Sequence, residues 1–353
     1  MPTLTPDISI IVPILNEADQ LPELLASLAR QCGVTLELII CDGGSQDGSA
    51  EVIDGLSETV PFAVLFLKTG RGRGHQMNAG AAAAAADLLL FLHADSRFTI
   101  CSALKSAVKL YRSQTAEGSA RFAARFGLQF RRSDASPSLP FFFYEAKARL
   151  PRAECIRGDQ GFLLNRVTLA ESGGFDESLL FLEDLRLALD LGRRTEWQLV
   201  PALLSTSARR FESEGLLERQ ILNAIIVNNA LAGWTQFFQE LPDLYVRHDA
   251  GGRLQLRPIL AGISRMIDDS STEWRRSFWL TTGRHVAGNI WQLFFWLDVR
   301  RAFRAGTEPG EVRPDWLLFY ERRLTLLFES RAAAWLAHVL VRLWLRRMLT
   351  KTS

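Results

Sequence analysis

Four apolar runs open the chain: "ISIIVPI" (8–14), "LELIIC" (36–41), "FAVLFL" (62–67) and "LLLFLH" (88–93). Stretches of helical spacing separate them. Leu21, Leu24, Leu25 and Leu28 recur at three and four residues, with Pro22 where a first turn tolerates its missing N–H and Asp19 as the expected cap. A second helix is predicted through Val52 and Ile53, and an alanine-rich one over 75–86. Strands that are continuously apolar are covered on both faces, so the pattern predicts an α/β layer protein: a mostly parallel sheet with helices on both sides.

Further on the periodicity changes. "ARFAARFGLQF" alternates, with Ala120, Phe122, Ala124, Phe126, Leu128 and Phe130 on one face and Arg121, Arg125 and Gln129 on the other, which predicts a half-exposed strand lining a cleft with its arginines. Residues 214–240 suit one long helix with Leu217, Ile221, Ile225 and Leu231 inward. Past Pro242 the "HDAGGR" turn suggests a boundary, giving a layered domain over 1–245 and a helical region over 246–353. In that region Trp279, Val286, Ile290, Leu293, Phe294 and Leu297 fall at helical spacing, as do Trp335, Leu336, Val339, Leu340 and Leu343.

Charge separates the same two regions. The 353 residues carry a net +2, yet residues 241–353 hold 18 Lys and Arg against 11 Asp and Glu, and the rest 23 against 28. Seven of the nine tryptophans also lie in that basic part. Basic, tryptophan-rich amphipathic helices suit an anionic membrane surface, although packing onto the first domain would use the same residues. No nucleic-acid partner is expected. Cys32, Cys41, Cys101 and Cys155 form no C-x-x-C pair, which points to neither a disulfide framework nor a zinc site and fits a reducing cytoplasm. The first apolar run is too short for a signal sequence, and no segment reaches the ~18 uncharged apolar residues of a spanning helix. The expected location is cytoplasmic, with peripheral contact at the inner face of the membrane.

In open parallel sheets ligands bind beyond the carboxyl ends of the strands. "PILNE", "DGGSQDGS" and "HADSR" occupy such positions. The second offers Asp42, and Ser45 or Asp47 as a helix cap, though any strand-to-helix turn needs similar residues. "KTGRGRGHQMNAG" sets Arg71 and Arg73 among glycines just before a helix; guanidinium forks and a helix N-terminus both favour a phosphate or diphosphate, and a solvated basic turn is the alternative. The glycines are spaced G-x-G-x-G and no P-loop lysine follows, so a Rossmann cofactor site is poorly supported. A carboxylate at the end of a buried strand is tolerable if it faces a cation, so Asp95 is a candidate ligand with His93 beside it; the alternative is a core histidine and a helix-capping aspartate. Glu183 and Asp184 open a helix, where the dipole favours them and where a general base would be held rigidly.

Taken in order, "IIVPILNE", "IICDGGSQDGS", "RGRGHQMNAG", "LLLFLHADSRF" and "GGFDESLLFLEDLRLALDLG" resemble family 2 glycosyltransferases of the GT-A fold over roughly residues 7–245, in a bacterial branch with HAD in place of the acidic triplet. The resemblance implies roles residue by residue. Pro13, Asn16 and Glu17 match the first nucleotide-contacting loop, and Asp42 the acidic residue that helps hold base or ribose. Arg71, Arg73, Gln76 and Asn78 match the loop near the diphosphate. Asp95 matches the last aspartate of D-x-D, which binds Mn²⁺ or Mg²⁺ through the donor, with His93 in the first position. Asp184 matches the catalytic base, with Glu183 beside it. Two departures stand out: Gly43 replaces a second aspartate after Asp42, and His93 replaces the first aspartate of D-x-D.

The implied activity is inverting sugar transfer from a nucleoside-diphosphate sugar, a UDP-sugar first, to an unknown and in one version lipid-linked acceptor. Two other classes share parts of the pattern. A sugar-phosphate nucleotidyltransferase would need a glycine-rich loop with a lysine after the first strand, which is absent. A non-catalytic nucleotide-binding or membrane-associated scaffold with a degenerate site would account for Gly43 and His93.

Overall fold

A computed structural model describes residues 5–246 and 252–350. The chain divides into two compact units, Met1–Arg131 with Tyr144–Ser207, and Arg132–Phe143 with Ala208–Ser353.

The first unit is built on one sheet. Its strands are β1 (Ile8–Ile14), β2 (Leu36–Asp42), β3 (Ala63–Lys68), β4 (Leu88–Phe91), β5 (Arg97–Phe98), β6 (Ala123–Arg131), β7 (Phe162–Asn165) and β8 (Trp197–Ser207). Their order is β3-β2-β1-β4-β7-β6-β8-β5. The β3-β2-β1-β4 half is parallel, as the apolar runs predict. Beyond β4 the sheet becomes mixed: β7 is antiparallel to β4 and β6, β8 is parallel to β6, and β5 is antiparallel to β8.

Helices α1 (Leu21–Ala29), α2 (Ser49–Ser57), α3 (Arg73–Ala83), α4 (Ala103–Ala116), α5 (Leu139–Lys147), α6 (Arg166–Ser172) and α7 (Glu183–Leu191) follow in chain order. Alternate residues of β1 serve two cores. Ile8, Ile10, Val12 and Ile14 join Leu21, Leu24, Leu25, Leu28 and Leu104 on one side, while Ile11 joins Met77, Ala81 and Leu187 on the other. Each fully buried Leu or Ile contributes about 1.5–3 kcal/mol. Helices therefore cover both faces.

Two local expectations are corrected. Asp19 does not cap α1; it lies in a single 3-10 turn, Ala18–Gln20, although Pro22 does occupy the first turn. Strand β6 is not half-exposed, because it runs between β7 and β8, and Ala123 through Leu128 are buried. Its Arg125 is 1% exposed and donates to the carbonyls of Leu150 (2.7 Å), Trp197 (3.3 Å) and Ala148 (3.4 Å). Burial pushes this guanidinium down to about 10, so it stays charged at neutral pH. The cysteines are free thiols, but Cys32 and Cys101 bring their sulfurs to 3.2 Å at the surface, a proximity that 69 residues of separation conceal.

The second unit is helical: α8 (Arg209–Glu214), α9 (Leu216–Leu231), α10 (Thr235–Val246), α11 (Leu256–Asp269), α12 (Thr272–Gly288), α13 (Trp291–Arg304), α14 (Asp315–Arg323), α15 (Thr325–Phe328) and α16 (Arg331–Thr350). Its larger segment starts at Ala208, and the residues read as one helix over 214–240 lie in it. That segment is interrupted near Gly215 and Gly233, and its buried residues include Leu222, Ile226, Asn229, Trp234 and Phe237, while Leu217 and Leu231 are exposed. Residues 248–251 of the turn expected at the boundary lie outside the described residues. Asp298, fully buried on α13, accepts the N–H groups of Trp316 and Leu317, each at 3.0 Å, and so fastens the first turn of α14. Among the described residues no helix is long and apolar enough to cross a membrane.

Candidate active site

The carboxyl ends of β1, β2 and β4 lie side by side in the sheet, and β1 is the strand at which the order turns back on itself. The loops after β1 and β2 are zipped together. Asn16, in the left-handed region at φ 55°, donates its N–H to Ser45 Oγ (2.8 Å) and accepts the Gln46 N–H on Oδ1 (2.9 Å). The Ala18 N–H donates to Asp47 Oδ2 (2.8 Å). Asp42 is buried and accepts both the N–H (3.0 Å) and the hydroxyl (2.6 Å) of Ser45. Asp47 receives Ser49 just before α2, whose cap position is Gly48. Pro13 stands opposite Cys41 in the ladder, and Glu17 is half-buried at the head of its turn.

Gln76 secures this end from α3. Its amide donates to the Ile14 carbonyl (2.8 Å) and the Cys41 carbonyl (2.7 Å) and is buried. A Cβ at Gly43 would meet that amide at 3.1 Å. The absence of a second aspartate at 43 thus has a local cause: Gln76 fills the space. Asn78 is also held by protein, donating to the Phe175 carbonyl (2.9 Å) and Glu177 (2.8 Å) and accepting the Phe175 N–H (2.9 Å). Of the four loop residues, Arg71 and Arg73 are the exposed ones.

Arg73 reaches across 110 residues to donate to Glu183 Oε1 at 3.1 Å. Glu183 is 1% exposed in the first turn of α7, and burial raises its pKa despite Arg73. Asp184 goes the other way. Burial pushes it up, but Arg157, the Gly158 N–H, Arg73 and the Leu185 N–H together bring it below the ordinary value. Adjacent carboxylates pushed in opposite directions can divide roles, one ionised and one prone to hold a proton. Leu182, which precedes them, adopts φ 67°, a strained conformation for a branched side chain where the pair is set.

The turn Gly158–Gln160, to which the sequence reading gave no role, completes the site. The Gly158 N–H donates to Asp184 Oδ2 at 2.8 Å, and a Cβ there would meet His93 Nε2 at 2.9 Å. Asp159 Oδ1 is buried with no hydrogen-bond partner among the described residues. Burial, with Asp184 and Asp95 nearby, pushes this carboxyl up to about 7. Its only sequence signal was a charged residue in the "GDQG" that precedes the apolar β7.

A narrow cavity gathers Arg73, His93, Gly158, Glu183 and Asp184, closed by Met77, Phe91 and Phe162 among others. Asp95, Arg71, Asp42 and Asn16 do not line it. Asp95 accepts long bonds of 3.3 Å from Thr206 Oγ1 and the Ser207 N–H. Among the described residues no three His, Cys, Asp or Glu side chains converge as a ready cation site. The Asp159 oxygen without a protein partner is the kind of hard donor that a divalent cation takes together with water and substrate phosphates, the usual habit of Mg²⁺.

Residues 9–171 match the family model described as Glycosyl transferase family 2. The chain is 32% identical over 117 residues to a 4,4'-diaponeurosporenoate glycosyltransferase of Staphylococcus haemolyticus, covering 32% of this chain and 31% of that one. It is 32% identical over 93 residues to an undecaprenyl-phosphate 4-deoxy-4-formamido-L-arabinose transferase of Pseudomonas fluorescens, covering 25% and 27%. The chain thus spans under a third of the length of these relatives. A mannosyltransferase of Pyrobaculum calidifontis, solved with GDP-Man and Mn²⁺, superposes with a TM-score of 0.49 at 18% identity over 97% of this chain and 88% of that one.

Proposed function

We propose that the chain is an inverting glycosyltransferase that moves a sugar from a nucleoside-diphosphate sugar, a UDP-sugar first, to a lipid-linked acceptor. What carries this reading is the cavity that gathers an arginine, a histidine and two carboxylates from three separate segments. The nucleotide lies along the zipped loops of Asn16 and Asp42, with Pro13 and Glu17 at their base. Arg71 and Arg73 face the diphosphate and stabilise the charge that grows on it as the glycosidic bond breaks. Gln76 and Asn78 hold the framework of that loop. A bound Mn²⁺ or Mg²⁺, held by Asp95 and His93 and completed by water and the donor phosphates, would supply Lewis-acid stabilisation of the leaving diphosphate.

Asp184 is ionised at neutral pH, and it takes the acceptor hydroxyl's proton as that oxygen bonds to the anomeric carbon and the nucleoside diphosphate departs. Glu183 holds Arg73 in place. An acceptor that is itself a phosphate has no proton to lose, and Asp184 then orients it. The exposed apolar and basic residues of the helical unit suit an acceptor met at a membrane surface.

The test is calorimetric binding of UDP, GDP and CDP with and without Mn²⁺, on wild type and Asp95→Ala. Metal-dependent binding of one nucleotide, lost in the variant, is expected. Binding of none of them would favour the degenerate scaffold, for which Gly43 and His93 speak.

A further inference from the structure

Helix α13 has two unlike faces. Trp291, Phe295, Asp298, Val299 and Ala302 are buried. On the other side Leu293, Leu297, Arg300, Arg301 and Arg304 follow one another at helical spacing as a single stripe, with Leu293 66% exposed. Beside it stands Trp316 of α14, 46% exposed, held there by the bonds from Asp298 to its own N–H and to that of Leu317. Leu297, the three arginines and Trp316 line an open cleft of about 330 Å³.

The arginines of the cleft are not equivalent. Arg301 is neutralised by Asp315 at 2.6 Å, with Asp298 at 3.6 Å. Arg300 lies over the Trp296 ring at 5.1 Å, and neither it nor Arg304 has an acidic partner among the described residues. The helix dipole accounts for a cation at Arg304, in the last turn. It does not account for large apolar side chains left in water along the same stripe. Helix α16 repeats the chemistry, exposing Trp335, Leu336, Leu340 and Leu343 more than half, with Arg346 and Arg347 following.

We propose that this stripe and cleft are a seat for an anionic phospholipid surface. Arg300 and Arg304 take a lipid phosphate, while Leu293, Leu297 and the Trp316 indole enter the layer between headgroups and acyl chains. An amphipathic helix with guanidiniums beside an exposed indole has the composition of an interfacial helix, and two unpaired cations supply the charge complementarity. The inference rests on these exposed residues alone and is independent of sugar transfer.

The test is co-sedimentation of the full chain with phosphatidylcholine vesicles, with and without phosphatidylglycerol. Binding to the anionic vesicles that weakens with salt is expected, and the double variant Arg300→Gln, Arg304→Gln should lose roughly thirtyfold in affinity with unchanged circular dichroism. Trp316→Ala should weaken binding while keeping its salt dependence. Wild type that ignores anionic vesicles, or a double variant that binds as wild type does, would overturn the proposal. So would tight calorimetric binding of inorganic phosphate without vesicle binding, which would assign the cleft to a soluble anion.

Discussion

The Gly158 N–H donates to Asp184 Oδ2 at 2.8 Å, and a Cβ on the same glycine would meet His93 Nε2 at 2.9 Å. One residue without a side chain thus sets the distance between the proposed base and the histidine of the HAD loop. Gly158→Ala is expected to lower transfer by roughly 10²-fold through misplacement, with little change in thermal unfolding. Asp184→Asn keeps an acceptor for that N–H but cannot take a proton. It should lose roughly 10²–10⁴-fold in turnover while binding donor normally, as single-turnover kinetics would show. Near-normal turnover in that variant would remove Asp184 from catalysis.

Arg73 and Glu183 form an unequal pair, the arginine half-exposed and the glutamate almost fully buried. Removing the arginine strands a buried carboxylate, and Arg73→Gln should destabilise the protein by about 1–3 kcal/mol, toward the lower end because the pair is partly solvated. Urea unfolding measures the loss. Adding Glu183→Gln to that variant should restore most of it, and failure to do so would show that the arginine stabilises by other contacts.

Asp159 gives the metal-free protein a pH dependence of definite sign. Its carboxyl titrates near 3.8 when unfolded and about 7 when folded, so the folded state binds the proton more tightly between those values. The stability it contributes is fully present below the unfolded value and is lost as pH rises toward 7. In chelator, unfolding midpoints should fall over that window, and Asp159→Asn should flatten the slope. An unchanged slope in the variant would mean that another group carries it.

Cys32 and Cys101 should be joined by a thiol oxidant such as diamide, and the bridge should be found by peptide mapping without reduction. The buried Cys41 and Cys155, pushed up to about 12 and about 11, should stay unmodified. The bridge is expected to add about 2–4 kcal/mol of stability. Scrambled pairing in the map would count against the geometry.

The parallel half of the sheet was legible because β1, β2 and β4 are largely buried on both faces and carry no alternation, while the edge strand β3 stays partly exposed. The loops proposed to form the site could be placed because they follow those strands. Strand β6 was misread because Arg125 looked like a solvent-facing residue, and only the carbonyls of residues 148, 150 and 197 explain its burial. Gln76 and Asn78 sit in the expected loop, but their amides bond to backbone that no spacing predicts. Asp159 was overlooked for the opposite reason: its environment consists of charges on three distant segments, and nothing local marks it. The grouping of residues 208–245 with the helices after them was not legible, because a helix shows its period but not which neighbours it packs against.

The buried Arg125 has a consequence for the order of folding. A guanidinium loses hydration as soon as β6 is covered, and its three carbonyl partners come from the end of α5, the turn behind it and the start of β8. Until all three have arrived, closing the sheet over Arg125 is uphill. The segment from 123 to 200 is therefore expected to protect its amides from hydrogen exchange together, opening as one cooperative block instead of fraying strand by strand.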